Sequence, residues 1–352
     1  MTATTISLST FSGLLLIASL LPLVKHESWV FRVFDYPRLQ KFTLTLLCIG
    51  LTVIFFEPGN MVTGLLLLAL SANALYLGYQ IYPFTRFAKK QVLQVTAPNA
   101  SQTVRIMIAN VYQDNDNCSG CIGEIKRVNP DVVLLLETNQ KWAKAVESLK
   151  KDFPYTVLVP IENTYGMLLY SKLELKDSEV KYLVENDIPS IHTTVLLESG
   201  QPVKLFAVHP TPPVPNENPR STERDKELLL VADLAKKSKL PVIVIGDLND
   251  VAWSYTTELF LKMSGLLDPR RGRGFFNSFH AHYPFMRFPL DHAFISDHLK
   301  LREMKRLHNF DSDHFPIFIS LQYDPAAAHQ QEQELQPDAG DLEIAREKKA
   351  AV

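Results

Sequence analysis

Val242-Ile243-Val244-Ile245-Gly246-Asp247-Leu248-Asn249 and, further on, Ser312-Asp313-His314 running into the apolar stretch Phe315 to Leu321 decide how this chain is read. In the first stretch an apolar run with the length and β-branched content of a buried strand ends in a carboxylate and an amide. In the second a carboxylate and an imidazole stand just before such a run. Carboxylate, amide and imidazole groups held together on rigid elements are what metal-assisted hydrolysis of a phosphate ester needs.

Working outward, further short apolar runs predict strands at Val104 to Val111, Val132 to Leu136, Tyr155 to Val159, Met167 to Tyr170, Thr193 to Leu197, Val203 to Val208 and His292 to Ile295. Helical periodicity appears in Gln140 to Lys151, Ser221 to Lys237 and Tyr255 to Met263. Strands without a helix between every pair favour an α/β fold of two packed mixed β-sheets flanked by helices, a four-layer α/β sandwich, over a simple doubly wound sheet. This domain is expected over 103–323, after a polar linker at 91–102 and before a disordered tail at 324–352, where apolar residues thin out. The net charge of −2 excludes a global attraction to nucleic acid and leaves room only for a local basic patch.

Residues 1–90 are different in kind. Three apolar segments, about 6–24, 42–56 and 61–82, approach the ~20 residues that a helix needs to cross a bilayer. The second is short and needs Lys41 to snorkel or the membrane to thin. Glu57-Pro58-Gly59-Asn60 makes a turn between the second and third, and a cleaved signal peptide accounts for neither of these. Lys25, Arg32, Arg38 and Lys41 lie between the first two segments, Arg86, Lys89 and Lys90 follow the third, and Tyr76, Tyr79, Tyr82 and Phe84 form an aromatic belt. With three spans both basic stretches share one side. The positive-inside rule then makes an integral protein of the bacterial inner membrane with its catalytic domain facing the cytoplasm. A transporter is disfavoured, because these segments carry no buried charges to line a path.

Polar residues recur at the strand ends. Asn110 ends the first strand, Glu137 follows a fully apolar run, His209 follows another, and Asp291 opens a later one. Each has a bland reading: a turn residue for Asn110, a helix cap for Glu137, a loop-packing histidine for His209, and a core histidine for His314. Their recurrence in one direction along several strands favours a site.

Taken in order, Asn110, Glu137, His209, Asp247 with Asn249, Asp291 and Asp313-His314 resemble the endonuclease/exonuclease/phosphatase superfamily, deoxyribonuclease I-like, in a membrane-anchored bacterial-type member. The resemblance implies a two-sheet sandwich with a divalent cation at one edge, Mg2+ most often or Mn2+. It further implies Glu137 as principal metal ligand, with Asn110 beside it and Asp313 helping to hold the ion. His314, oriented by Asp291, would act on the attacking water; Asp247 would orient the nucleophile or protonate the leaving group; Asn249 and His209 would bind phosphoryl oxygens. The expected activity is a phosphoric ester hydrolase, cleaving a phosphodiester of nucleic acid or phospholipid. The alternative is a catalytically inactive sandwich serving as a membrane-bound phosphate-ligand module. The bilayer is the other expected partner, and no protein partner is predicted.

Weaker features remain. Cys118 and Cys121 form a lone C-x-x-C, read as free thiols in a loop. The proline-rich stretch Pro210 to Pro215 either shapes an entrance or merely connects. Arg270, Arg271 and Arg273 with Phe275 and Phe276 read as a solvated loop that could grip phosphate. His292 points away from Asp291 and is expected to pack.

Overall fold

The structure, a computed structural model, describes residues 3–351. In chain order it places helices α1 (Ala3–Leu20), α2 (Trp29–Arg32), α3 (Arg38–Phe55) and α4 (Met61–Ile81) ahead of strand β1 (Thr103–Asn110). Then come α5 (Cys118–Val128), β2 (Val132–Leu136), α6 (Gln140–Ala145), β3 (Tyr155–Val159), β4 (Met167–Ser171), β5 (Leu175–Lys181), β6 (Ser190–Leu196) and β7 (Pro202–Val208). The chain closes with α7 (Thr222–Lys237), β8 (Val242–Asp247), α8 (Tyr255–Ser264), β9 (Asp291–Ile295), β10 (Leu299–Arg306), β11 (Ile317–Tyr323) and α9 (Ala339–Ala350).

Two mixed sheets result, ordered β10-β11-β1-β2-β4-β3 and β5-β6-β7-β8-β9. Alternation along the strands explains the layers. Ile106, Ile108, Leu134 and Leu169 from one sheet meet Leu205, Ala207, Ile243 and Ile295 from the other in a buried core. The opposite faces take helices: Met107 and Leu135 pack with Ile125 of α5 and Trp142 of α6, while Phe206 and Val244 pack with Leu228 of α7 and Phe260 of α8. The four-layer sandwich is thus as expected.

Four elements escaped the pattern. β5 and β10 lie at sheet edges, carry charged residues and break register between Lys176 and Glu179 and between Leu301 and Glu303. Charge and bulges are how edges resist further pairing, and they also hide a strand. The segment with Cys118 and Cys121 is the start of α5 rather than a loop; Asn117 caps it, and Cys121 packs its buried thiol in the core. Nor is the stretch after Tyr323 shapeless. An Asp338–Asp341 capping box starts α9, and Lys348 reaches Glu27 at 3.0 Å and Asp225 at 2.8 Å. The supposed linker also packs: Val92 is buried, and Leu301 N donates to the Leu93 carbonyl.

Among the described residues three helices are long and apolar enough to cross a membrane by length and composition: Ala3–Leu23, Arg38–Phe55 and Met61–Phe84. Their outward faces are Leu14, Ile17, Ile54, Leu68 and Leu75, while Ser12, Ser19, Thr45, Thr52 and Asn73 are buried between them. Asn73 Nδ2 donates to Thr45 Oγ1 at 2.9 Å. The short second segment gains a turn, since α3 starts at Arg38 and rises about 27 Å over its length. Lys41 does not snorkel; its Nζ donates to the carbonyls of Ala18 and Phe34.

Candidate active site

Topology collects the polar residues. β1 and β2 run parallel, as do β7 and β8, and each pair is joined by an outer helix. Right-handed crossovers of this kind leave the carboxyl ends of both strands at one edge, where ligands of open α/β sheets bind. Asn110, Glu137, His209 and Asp247 therefore meet. β9 pairs antiparallel with β8, setting Asp291 opposite Asp247, and β11 pairs antiparallel with β1, so Ser312 to His314 enter from the same edge.

Local backbone features aim these groups. A Cβ on Gly246, which sits at φ +149°, would fall 1.8 Å from the Val208 carbonyl oxygen, so only glycine allows the close crossing just before Asp247. Glu137 (φ 58°) and Asn249 (φ 50°) are both left-handed without being glycine. That strain persists only where neighbours over-determine it. Asn249 shows how: its N–H donates to Asp247 Oδ1 at 2.9 Å, its amide to the Pro210 carbonyl at 2.9 Å, and its own carbonyl accepts from Tyr36 Oη and Arg224 Nη1 at 2.9 and 2.7 Å.

His314 Nδ1 lies 2.8 Å from Asp291 Oδ2, and its Nε2 lies 3.5 Å from Asp247 Oδ2. Asn110 Nδ2 donates to Glu137 Oε1 at 2.7 Å and to Asp247 Oδ2 at 3.1 Å. One network thus joins Glu137, Asn110, Asp247, His314 and Asp291. Ser312 and Ser278, the latter missed from sequence, buttress it: Ser312 Oγ donates to the Asn110 carbonyl, and Ser278 Oγ accepts from Asp291 N. Burial works against charge on His314, yet Asp291 and Asp247 more than offset it and push its pKa up to about 10. Asp291 is itself raised by burial. Glu137 is pushed up to about 7 by burial first; the Asn110 hydrogen bond and His314 oppose the shift, and Asp313 and Asp247 add to it. His209 is driven down to about 4 by burial, so it is neutral, with the Tyr165 ring tilted against it 5.2 Å away and its Nδ1 unpartnered.

The tightest grouping of donor atoms is Asp247, Asp291 and His314, each offering one atom within 4.8 Å of the others. It is an ion-paired set, however, because an imidazolium cannot ligate a cation. Carboxylate oxygens that an ion could draw on converge beside it: Glu137 and Asp247 are bridged by the Asn110 amide, and Asp313 Oδ1 is buried without a partner. This donor chemistry fits a hard divalent cation. Asn110 stands beside Glu137 as expected but presents its NH2 group, its Oδ1 accepting from Tyr112 N at 3.0 Å.

Other expectations change. Arg270 is not in a solvated loop; it is fully buried, paired with Asp268 at 2.8 Å and against His292 Nδ1 at 2.6 Å. His292 packs, as anticipated. The proline stretch is tied to the site through the Pro210 carbonyl. Tyr36 and Arg224 carried no local signal, since their partner Asn249 is remote in sequence.

A two-sheet sandwich with a carboxylate, amide and imidazole network at its strand ends defines the phosphoesterase class. The sequence matches the Endonuclease/Exonuclease/phosphatase family over residues 110–314, and the chain belongs to that family, whose members are phosphoric ester hydrolases. Solved structures agree on the fold. Humanized TDP2 from D. rerio, carrying 14 mutations, is 18% identical with a TM-score of 0.54, the match covering 63% of this chain and 99% of that one. An endonuclease/exonuclease/phosphatase family protein from Bacteroides thetaiotaomicron is 16% identical, with a TM-score of 0.51 and coverage of 63% and 98%. The human Nocturnin catalytic domain with bound sulfate is 18% identical, TM-score 0.51, with coverage of 68% and 98%. A comparison with curated proteins gave no match.

Proposed function

We propose that this chain is a membrane-anchored, divalent-cation-dependent phosphodiesterase. The observation that carries the reading is His314 held between Asp291 and Asp247, with Asp247 joined to Glu137 through the Asn110 amide. Glu137, Asp247 and Asp313 are the residues that would hold a cation such as Mg2+. When bound it would neutralise charge developing on the phosphoryl oxygens.

The chain's own residues do the rest. On this reading His314, whose charged form Asp291 and Asp247 favour, does not take the proton of the attacking water, the role the resemblance implies. It donates instead to a phosphoryl oxygen, and the Asp247 carboxylate accepts the water's proton. Water oxygen forms a new bond to phosphorus, the opposite P–O bond breaks with its electron pair, and the leaving oxygen takes up a proton from solvent, to which Asp247 returns the one it accepted. One water is consumed, giving a phosphomonoester and an alcohol. Neutral His209 and the Asn249 amide would bind phosphoryl oxygens.

Small polar residues inside and large apolar ones outside suit helices whose solvent is lipid. α1 and α4 end, and α3 begins, on the side that carries the catalytic domain, together with Lys25, Arg32, Arg38, Arg86, Lys89 and Lys90. By the positive-inside rule that side is cytoplasmic.

The test is hydrolysis of bis(4-nitrophenyl) phosphate by the full chain in detergent with Mg2+. Turnover lost with chelator, with Glu137→Ala and with His314→Ala supports the reading. Folded protein that binds the diester equally with and without those substitutions, and never cleaves it, would establish a binding module instead.

A further inference from the structure

We propose that the phosphate ester cleaved here belongs to a membrane lipid, and that the hairpin from Phe279 to Phe288 inserts its tip into the bilayer surface to bring lipid headgroups to the site. This rests on the phosphodiesterase and membrane-anchor readings above.

The hairpin joins two places. At its base, Phe279 N donates to the Phe288 carbonyl at 3.0 Å, the Phe279 ring sits 5.0 Å from the His314 ring, and Ala281 N donates to the Asp313 carbonyl at 2.6 Å. His282 Nε2 lies 2.9 Å from the Ser312 carbonyl. The base is therefore a wall of the catalytic site. At its tip, Gln40 in the first turn of α3 donates from Nε2 to the Phe285 carbonyl at 2.8 Å. The same short loop touches the catalytic histidine and the start of a membrane helix.

The tip is built for lipid rather than water. Phe285 is 86% exposed, Tyr283 60% and Met286 51%, side by side. Large apolar residues gathered on one exposed turn mark an interaction surface. Phe87, 89% exposed, and Tyr82 are further exposed aromatic residues just past α4, with Arg86, Lys89 and Lys90 near them in sequence for lipid phosphates.

Other loops at the site's edge face the same way. Asn249 bonds Tyr36, Trp253 Nε1 donates to the Asp35 carbonyl at 2.8 Å, and the Pro219 carbonyl accepts from Trp29 N at 3.0 Å. All three partners belong to the segment between α1 and α3, so the catalytic edge looks toward the membrane. Each arm of the hairpin is about four residues, so even fully extended at ~3.3 Å each the tip lies at most about 13 Å from the His314 contact. Headgroups occupy roughly 5–8 Å on each side of a bilayer's hydrocarbon core. A lipid phosphate thus needs to rise only a few ångströms, whereas a duplex, whose major groove alone is about 12 Å wide, has little room in that gap. The bond changes are those given above: water adds to phosphorus, and the P–O bond to one alcohol of the lipid breaks.

The full chain, reconstituted in vesicles of equimolar phosphatidylcholine, phosphatidylglycerol and phosphatidylinositol, is assayed with Mg2+ for loss of each lipid. Bis(4-nitrophenyl) phosphate and single-stranded and plasmid DNA are run in parallel. At least one lipid should be cleaved at least tenfold faster than DNA, and Phe285→Ser with Met286→Ser should cut the ratio of lipid to soluble-diester turnover at least tenfold. Independently, Phe285→Trp should add fluorescence that brominated lipids quench, relative to the parent chain. Soluble diester cleaved while every lipid survives, DNA preferred over lipid, an unchanged ratio, or no added quenching would each overturn the proposal while leaving the phosphodiesterase reading standing. No metal-dependent turnover of the soluble diester would remove that reading, and this one with it.

Discussion

Glu137 should make cation binding depend steeply on pH. Burial, helped by Asp313 and Asp247, raises its pKa from an ordinary 4.5 to about 7. The displacement corresponds to roughly 3 kcal/mol held against the ionised form. The fold therefore keeps a proton on Glu137 where the unfolded chain has lost it. This contribution to apo stability is fully present below the ordinary carboxylate value and is lost as pH rises through about 7. A cation binds the carboxylate, not the acid, and must displace that proton. Its affinity should fall about tenfold for each pH unit below about 7, with about half a proton released per ion at pH 7, close to one at pH 6 and almost none at pH 8.5. Calorimetric titration of Mg2+ or Mn2+ into the full chain, repeated in buffers of different ionisation enthalpy, measures the released proton directly. Binding at pH 6 without proton release, or the same pH dependence in Glu137→Gln, would refute the reasoning.

Three further substitutions follow from the same geometry. Asp291→Asn removes the closest carboxylate holding His314 charged, so turnover should drop by about a hundredfold or more and the alkaline limit of the pH–rate profile should move down from about 10; an unmoved limit would show that another group sets it. Tyr36→Phe removes one of two hydrogen bonds to the Asn249 carbonyl, costing about 1 kcal/mol, and should lower kcat for the soluble diester severalfold; unchanged kcat would mean that Arg224 alone holds the loop. Glu227 is buried on α7 with Oε1 unpartnered, and burial pushes its pKa up to about 8. At pH 7 the unfolded chain gains by ionising it and the fold does not, so Glu227→Gln should stabilise by roughly 3 kcal/mol at pH 7 and hardly at all at pH 4, as read by urea denaturation.

Much of the sandwich was legible because most of its strands are short, largely apolar runs. Val132–Leu136 and Tyr155–Val159 have the bounds that hydrophobic runs alone predict. The site was legible for a related reason: a carboxylate or amide directly after a buried strand is conspicuous, and parallel strands bring such ends to one edge. What stayed hidden depends on distant partners or on context. α5 begins Cys118-Ser119-Gly120-Cys121-Ile122-Gly123, whose glycines argue against a helix until Asn117 is seen capping it. Arg270 reads as a surface cation until Asp268 and His292 are seen enclosing it. α9 is polar enough to pass for a disordered tail, and it is ordered because Lys348 finds Glu27 and Asp225.

The segment between α1 and α3 is better understood as part of the catalytic scaffold than as a tether. Asn249 is held left-handed beside Asp247, and its carbonyl has two donors, one of which is Tyr36. The buried Trp253 indole N–H has the Asp35 carbonyl, and the buried Asp35 carboxylate is matched in turn by Arg38 at 2.7 Å. Removing the segment would strand these groups where water cannot easily replace them, at about 1–3 kcal/mol for each buried group left unpaired. The strained loop that positions Asp247 would then lose the contacts that over-determine it. On the proposed reading, anchorage and catalysis are joined physically: helices that would enter the bilayer end in the same segment that keeps Asn249 in place, so whatever fixes those helices would also fix the loop against which the water is activated.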